Sequence, residues 1–87
     1  MNDFFLEFVT RSGCHLCDEA LPVVRRVARL MRADLIQTQV ESNDALLREF
    51  DLRIPVVRDP RGHVLAEGRV ELWPLAVNAA RARLARR

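Results

Sequence analysis

Cys14 and Cys17, the two cysteines of the chain, are separated by two residues and lie between an apolar run and a segment with helical periodicity. At the beginning of a helix, the backbone N–H groups and the helix dipole stabilise negative charge. Such a position lowers the pKa of a cysteine thiol from about 8.5 to roughly 3.5–7.5. Because the thiolate is both the nucleophile and the metal ligand, this spacing predicts either a redox dithiol or a metal site.

Composition and charge limit the classes of protein to which this chain can belong. The chain has 87 residues, of which 49% are hydrophobic and 30% are charged, as expected of one folded domain over residues 1–87. A formal net charge of +2 gives little support for a nucleic-acid partner. No apolar run approaches the ~20 residues that span a membrane, and the N-terminus lacks the pattern of a secretory signal. We therefore expect a cytoplasmic monomer, in which a Cys-x-x-Cys pair is more often catalytic or metal-binding than structural.

The elements that must position the cysteines follow from periodicity. Apolar runs predict strands at 4–9, 35–40, 53–58 and 63–67, and helical spacing predicts helices at 17–31, 45–50 and 70–84. Pro22 is expected to bend the first helix without ending it, because the apolar spacing continues past it. Asp59, Pro60 and Gly62 favour a type I turn that joins the last two strands in a hairpin.

This β-α-β-α-β-β-α order predicts a four-stranded mixed sheet with helices on both faces, because the first β-α-β unit requires a right-handed crossover. In the last helix, the apolar face is predicted to consist of Val70, Trp73, Val77, Ala80 and Leu84. Trp73 and the four phenylalanines are expected in the core.

The order and length of the elements resemble the thioredoxin fold and, within it, short bacterial glutaredoxin-like proteins of unassigned substrate. The local features that carry this resemblance are Cys14-x-x-Cys17 after the first strand, Arg11 three residues earlier, Pro22 in the helix, and Ile54-Pro55 at the third strand. The resemblance implies a thiol-disulfide oxidoreductase with a cis-proline at Pro55, facing the cysteines.

The residues and the resemblance together give each site residue an expected role. Cys14 is the predicted nucleophile, and Cys17, one turn into the helix, resolves the mixed disulfide. Arg11 and His15 are expected to stabilise the Cys14 thiolate. The residues expected to contact glutathione or another substrate are Arg11, His15, Ile54, Pro55 and Gly68.

Three departures from the family pattern bear on the substrate. His15-Leu16 stands where glutaredoxins usually have Pro-Tyr between the cysteines. The glutathione site of glutaredoxins includes a Gly-Gly pair and a later acidic or hydroxyl residue, whereas residues 67–71 read Glu-Gly-Arg-Val-Glu. Phe8 occupies the position of the buried acid of thioredoxins.

The sequence therefore leaves three functions open. The first is an oxidoreductase that reduces protein disulfides or glutathione mixed disulfides, with no bound cofactor and with glutathione or a thioredoxin-reductase-type protein as reductant. The second is an iron–sulfur or metal-binding module, in which Cys14, Cys17 and His15 supply at most three ligands. The third is a redox-inert adaptor that uses its arginine-rich helix faces to bind a partner.

Overall fold

The computed structural model describes residues 3–85, so Met1, Asn2, Arg86 and Arg87 of the predicted domain lie outside the described residues. The predicted element order is confirmed, with one short 3-10 helix added before the second α-helix. The elements are β1 (Phe5–Thr10), α1 (His15–Met31), β2 (Asp34–Gln39), the 3-10 helix (Val40–Ser42), α2 (Asp44–Phe50), β3 (Val56–Arg58), β4 (Val64–Glu67) and α3 (Leu72–Ala85). Helix α1 continues through Pro22.

The sheet has the order β2-β1-β3-β4, so β1 is a central strand. β1 runs parallel to β2, with Thr10 opposite Gln39, and antiparallel to β3, with Val9 opposite Val56. The carboxyl ends of β1 and β2 and the start of β3 therefore lie at one edge of the sheet. The loop that carries the cysteines begins at this edge.

Third-strand pairing begins later than residue 53, the predicted start. The backbone N–H groups of Arg53 and Ile54 both donate to the carbonyl oxygen of Phe50, at 2.8 and 3.1 Å. Pro55 has no N–H to donate. Arg53 and Ile54 therefore stay bonded to the end of α2, and strand pairing starts only at Val56.

Two apolar clusters cover the two faces of the sheet. The larger joins α1 and α3 to one face, and its fully buried members include Leu6, Phe8 and Val24. The smaller packs α2 against the other face through Val9 and Phe50. Alternate residues of β1 thus point into opposite clusters, as a strand buried on both faces requires.

The buried face of α3 differs from the prediction. Trp73 is 71% exposed, and Val77 and Leu84 are also exposed, whereas Leu75 and Ala79 are fully buried. Both sets have helical spacing, and α3 carries apolar residues around most of its circumference, so periodicity does not decide between them. The alternative face presents alanines to the core, which allow α3 to pack close to α1.

The hairpin turn is stabilised as its residue types predict. The Gly62 N–H donates to the Asp59 carbonyl oxygen at 2.9 Å. The buried Asp59 carboxylate accepts the backbone N–H groups of Arg61 and His63, both at 2.9 Å. Among residues 3–85, no helix is long and apolar enough to cross a membrane.

A bidentate ion pair stabilises the connection from α2 to β3. Arg53 donates through Nε and Nη2 to the two carboxylate oxygens of Glu67, at 3.0 and 2.8 Å, and its guanidinium lies 5.0 Å from the centre of the Phe50 ring. The hydrogen bond from Arg53 lowers the pKa of Glu67 below its ordinary 4.5, and the same bond raises the pKa of Arg53.

Truncation in α3 distinguishes the observed buried face from the predicted one. We expect Leu75→Ala to lower the free energy of unfolding by about 2–5 kcal/mol, because it removes a fully buried side chain. Trp73→Ala should change it by no more than about 0.5 kcal/mol, since that ring lies mostly in solvent. Urea unfolding followed by circular dichroism measures both, and a larger loss for the Trp73 variant would contradict the observed packing.

The ion pair of Glu67 predicts a pH-dependent stability. Because the folded-state pKa of Glu67 is lowered, its contribution is complete above 4.5 and disappears as the pH falls through the lower folded value. Glu67→Gln should therefore melt at a lower temperature than the wild type at neutral pH, and the gap should close in acid. Glu49→Gln is the comparison variant, because Glu49 also faces Arg53 but at the longer distance of 4.0 Å. Its melting temperature should differ less from that of the wild type. A difference in melting temperature that stays constant through the acid range would contradict this prediction.

Candidate dithiol active site

Cys14 is the N-cap residue of α1. Gly13 precedes it with φ of +78°, a left-handed conformation that favours glycine, and turns the chain out of β1. Cys14 itself is extended, and its sulfur accepts the backbone N–H of Cys17 at 3.1 Å. The Cys14 carbonyl oxygen accepts the N–H of Asp18 at 3.0 Å. The sulfur thus lies where the helix N-terminus stabilises negative charge.

The two cysteines form a disulfide bond, with 5.1 Å between their Cα atoms. Cys17 is only 2% exposed and belongs to the larger apolar cluster. Cys14 is half-buried at the margin of that cluster. The pair is therefore asymmetric, because solvent and a substrate reach Cys14 more easily than Cys17.

Arg11 lies beside the cysteine loop, and its side chain is engaged. Its carbonyl oxygen accepts the Cys14 N–H at 3.3 Å. The Arg11 guanidinium forms a hydrogen-bonded ion pair with Asp51, and its Nε lies 3.8 Å from a carboxylate oxygen of Glu41. Sequence reasoning missed both acids because they are distant in the chain, and neither belongs to a motif.

His15 extends away from the disulfide into solvent. Its side chain is 87% exposed, and its Nε2 lies 2.7 Å from the Glu19 carboxylate, one helical turn on. Glu19 thus holds the imidazole on the outer surface of α1. A protonated His15 would add positive charge near Cys14, partly balanced by Glu19.

The Ile54–Pro55 peptide bond is cis. Since Val56 pairs with Val9, Pro55 lies at the same edge of the sheet as the end of β1 and the cysteine loop. Pro55 is buried, and its carbonyl oxygen accepts the N–H of Gly68 at 2.8 Å. Gly68 has φ of +70°, so the chain leaves β4 in a conformation that few other residues adopt.

A groove of about 360 Å³ begins next to the cysteines. Apolar and charged side chains both line it. Leu16, between the two cysteines in sequence, is 41% exposed at one end of the groove. The lining residues are Leu16, Glu19, Ala20, Val23, Arg69, Val70 and Glu71. None of the predicted site residues lines this groove, because surface exposure next to a cysteine pair leaves no motif in the sequence.

The structure thus brings Arg11 and Cys14, in the loop before α1, together with Cys17 in the first turn of α1, with Ile54 and Pro55 at the same edge and Gly68 bonded to Pro55. Within residues 3–85, no group of three or more histidines, cysteines, aspartates or glutamates is arranged to hold a metal ion. The arrangement offers the sulfur of a half-buried cysteine at a helix N-terminus, a buried cysteine bonded to it, and an adjoining groove. A disulfide in this position can undergo thiol-disulfide exchange.

Several solved structures share the architecture of this chain. Target protein XcR50 from X. campestris, in its X-ray structure, is 26% identical, with a TM-score of 0.68 over 94% of this chain and 97% of that one. Protein Ne2328 from Nitrosomonas europaea is 25% identical, with a TM-score of 0.68 over 82% and 89% of the two chains. Thioredoxin 1 from Thermosipho africanus is 16% identical, with a TM-score of 0.59 over 93% of each chain, which shows the thioredoxin fold alone.

No curated protein matches the sequence significantly. The family model described as "Glutaredoxin-like domain (DUF836)" matches residues 5–84, which is nearly the whole described chain. The chain belongs to this glutaredoxin-like family and has the thioredoxin fold, with its Cys-x-x-Cys pair at disulfide distance.

Proposed function

We propose that the protein is a thiol-disulfide oxidoreductase that reduces disulfides through Cys14 and Cys17. The observation that carries this proposal is the asymmetry of the pair. Cys14 is half-buried and its sulfur accepts an N–H at the helix N-terminus, whereas Cys17 is buried next to it. An accessible, stabilised thiolate beside a protected second thiol is the arrangement that disulfide exchange requires.

The forward reaction consists of two exchanges. The Cys14 thiolate attacks one sulfur of the substrate disulfide, a Cys14–substrate bond forms, and the other sulfur leaves as a thiolate that takes a proton from water. Cys17, deprotonated, then attacks the Cys14 sulfur, and the second substrate sulfur leaves as a thiolate. The substrate gains two electrons, and the protein is oxidised to the Cys14–Cys17 disulfide.

The reduced protein is regenerated by the reverse exchange. We propose glutathione or a thioredoxin-reductase-type protein as the source of electrons, and disulfide-containing proteins as substrates, for a monomer acting in the cytoplasm. The reducing thiol attacks Cys14, the less buried of the two sulfurs, so a Cys14–reductant disulfide forms and the Cys17 thiolate is released and takes a proton from water. A second thiol of the reductant then attacks the reductant sulfur of this mixed disulfide, which releases the Cys14 thiolate and leaves the reductant oxidised to a disulfide. Arg11 places a positive charge beside the cysteine loop, and its ion pair with Asp51 partly balances that charge.

The surroundings of Cys14 suit an extended substrate. The groove next to Leu16 is large enough for a side chain that flanks the substrate disulfide, and its mixed apolar and charged lining offers contacts to either kind of side chain. Ile54, next to the buried Pro55, is partly exposed. The Ile54 N–H already donates to Phe50, so a substrate strand here pairs with the Ile54 carbonyl oxygen.

Serine substitutions of the two cysteines test this mechanism. With insulin as substrate, and with each reducing system supplied separately, Cys14→Ser should lose all measurable activity. Cys17→Ser should form a mixed disulfide on Cys14 and accumulate it, because no second thiol completes the exchange. Mass spectrometry of the quenched reaction identifies the adduct and its position.

Matched measurements make the result decisive. Ser12→Ala, in the same loop, should retain activity, since Ser12 is exposed and takes no part in the mechanism. Normal activity of the Cys14 variant excludes the proposal. A wild-type protein that reduces no disulfide with either reducing system excludes it too, and favours the adaptor hypothesis.

A further inference from the structure

Arg11 is the arginine whose backbone adjoins Cys14, and two acids compete for its guanidinium. The guanidinium is hydrogen-bonded to Asp51, and its Nε atom lies 3.8 Å from the Oε1 atom of Glu41. All three side chains are partly exposed, so an incoming substrate can reach them. Two negative charges next to one positive charge leave this part of the site with a negative balance.

Within residues 3–85, Arg11 is the cation that contacts the Asp51 carboxylate. Asp51 is the C-cap residue of α2, where the partial negative charge of the helix end disfavours a carboxylate. The favourable interaction of this carboxylate is therefore its pair with Arg11, 40 residues earlier in the chain. The pair fixes the Arg11 side chain toward α2.

We propose that Asp51 is a specificity-determining residue, which, assisted by Glu41, holds Arg11 and prevents it from binding an anionic group on the substrate. This proposal rests on the oxidoreductase function. An anionic substrate must displace Asp51 from Arg11 and approach an acidic surface, whereas a neutral or cationic substrate does neither. The site thereby selects disulfides that carry no negative charge close to the reacting sulfurs.

The opposing charges around Cys14 agree with this selectivity. His15 is held by Glu19, and Arg69 shares the groove with Glu19 and Glu71. His15 and Arg69 thus both have acidic neighbours. At physiological ionic strength, electrostatic interactions are largely screened beyond about 8 Å, so a substrate is affected chiefly by the charges closest to it.

Three small disulfides with a common skeleton test the proposal. Cystamine, hydroxyethyl disulfide and 3,3′-dithiodipropionate place an ammonium, a hydroxyl and a carboxylate group at equivalent positions. Rate constants for oxidation of the reduced protein are measured by acid quench and mass spectrometry. Each is divided by the rate constant of dithiothreitol with the same disulfide, which removes the intrinsic reactivity of the disulfide.

The wild type should react more slowly with the dianion than with the neutral disulfide. Asp51→Asn should raise the dianion rate, relative to the neutral one, by about two- to fivefold, the effect of one partly exposed charge pair. Glu49→Gln removes the same charge from α2 without contact to Arg11 and should leave the ratio unchanged. Arg11→Gln combined with Asp51→Asn should lose most of the gain, because the freed cation is its main source.

The outcomes separate this inference from the proposed function. A wild-type protein that fails to react with hydroxyethyl disulfide contradicts the oxidoreductase function itself. If the wild type reacts, but Asp51→Asn alters all three rates equally or leaves the dianion rate unchanged, Asp51 does not set specificity. A gain that persists in full without Arg11 also overturns the inference. Melting curves of each variant verify that the compared proteins are folded.

Discussion

The hydrogen bond from the Cys17 N–H to the Cys14 sulfur begins helix α1 and also sets the environment of that sulfur. An N-cap acceptor is usually a serine, threonine, aspartate or asparagine oxygen, and here the Cys14 sulfur has that position. A thiolate is a stronger acceptor than a disulfide sulfur, because its charge strengthens the hydrogen bond. The same cap that begins α1 therefore favours the reduced, nucleophilic state of Cys14.

This cap depends on the sheet for its position. β1 is paired on both sides and buried on both faces, so its carboxyl end is fixed relative to β2 and β3. The parallel register with β2 brings Glu41, just after that strand, to the edge where Arg11 lies. The antiparallel register with β3 brings Pro55 to the same edge. Segments distant in sequence thus meet at one end of a rigid strand.

Local chemistry explains which parts of the fold were predictable. The buried face of α1 follows its three- and four-residue spacing, and the turn at Asp59 follows its residue types. The Cys-x-x-Cys pair was recognisable for the same reason, since capping and spacing are properties of adjacent residues. The prediction of the buried face of α3 was wrong at Trp73. When a helix is apolar on several sides, its sequence does not show which side its neighbours cover.

The partners of Arg11 could not be predicted, and they change the interpretation of the site. The sequence identified Arg11 as an available cation, whereas the sheet register places Asp51 and Glu41 next to it. Glu67 shows the same effect, because it stands where the resemblance implies a glycine and its carboxylate pairs with Arg53.

Two positions that the resemblance associates with glutathione therefore carry intramolecular ion pairs, at Arg11 and at Glu67. Glutathione bears two carboxylates and one ammonium group, so it would exchange these existing pairs for new ones, with little net electrostatic gain. A protein disulfide or a flavoprotein reductase of the kind proposed above would need no such exchange if it contacted the groove beside Leu16 instead. On the proposed function, we therefore expect macromolecular partners to be less affected by these ion pairs than glutathione is.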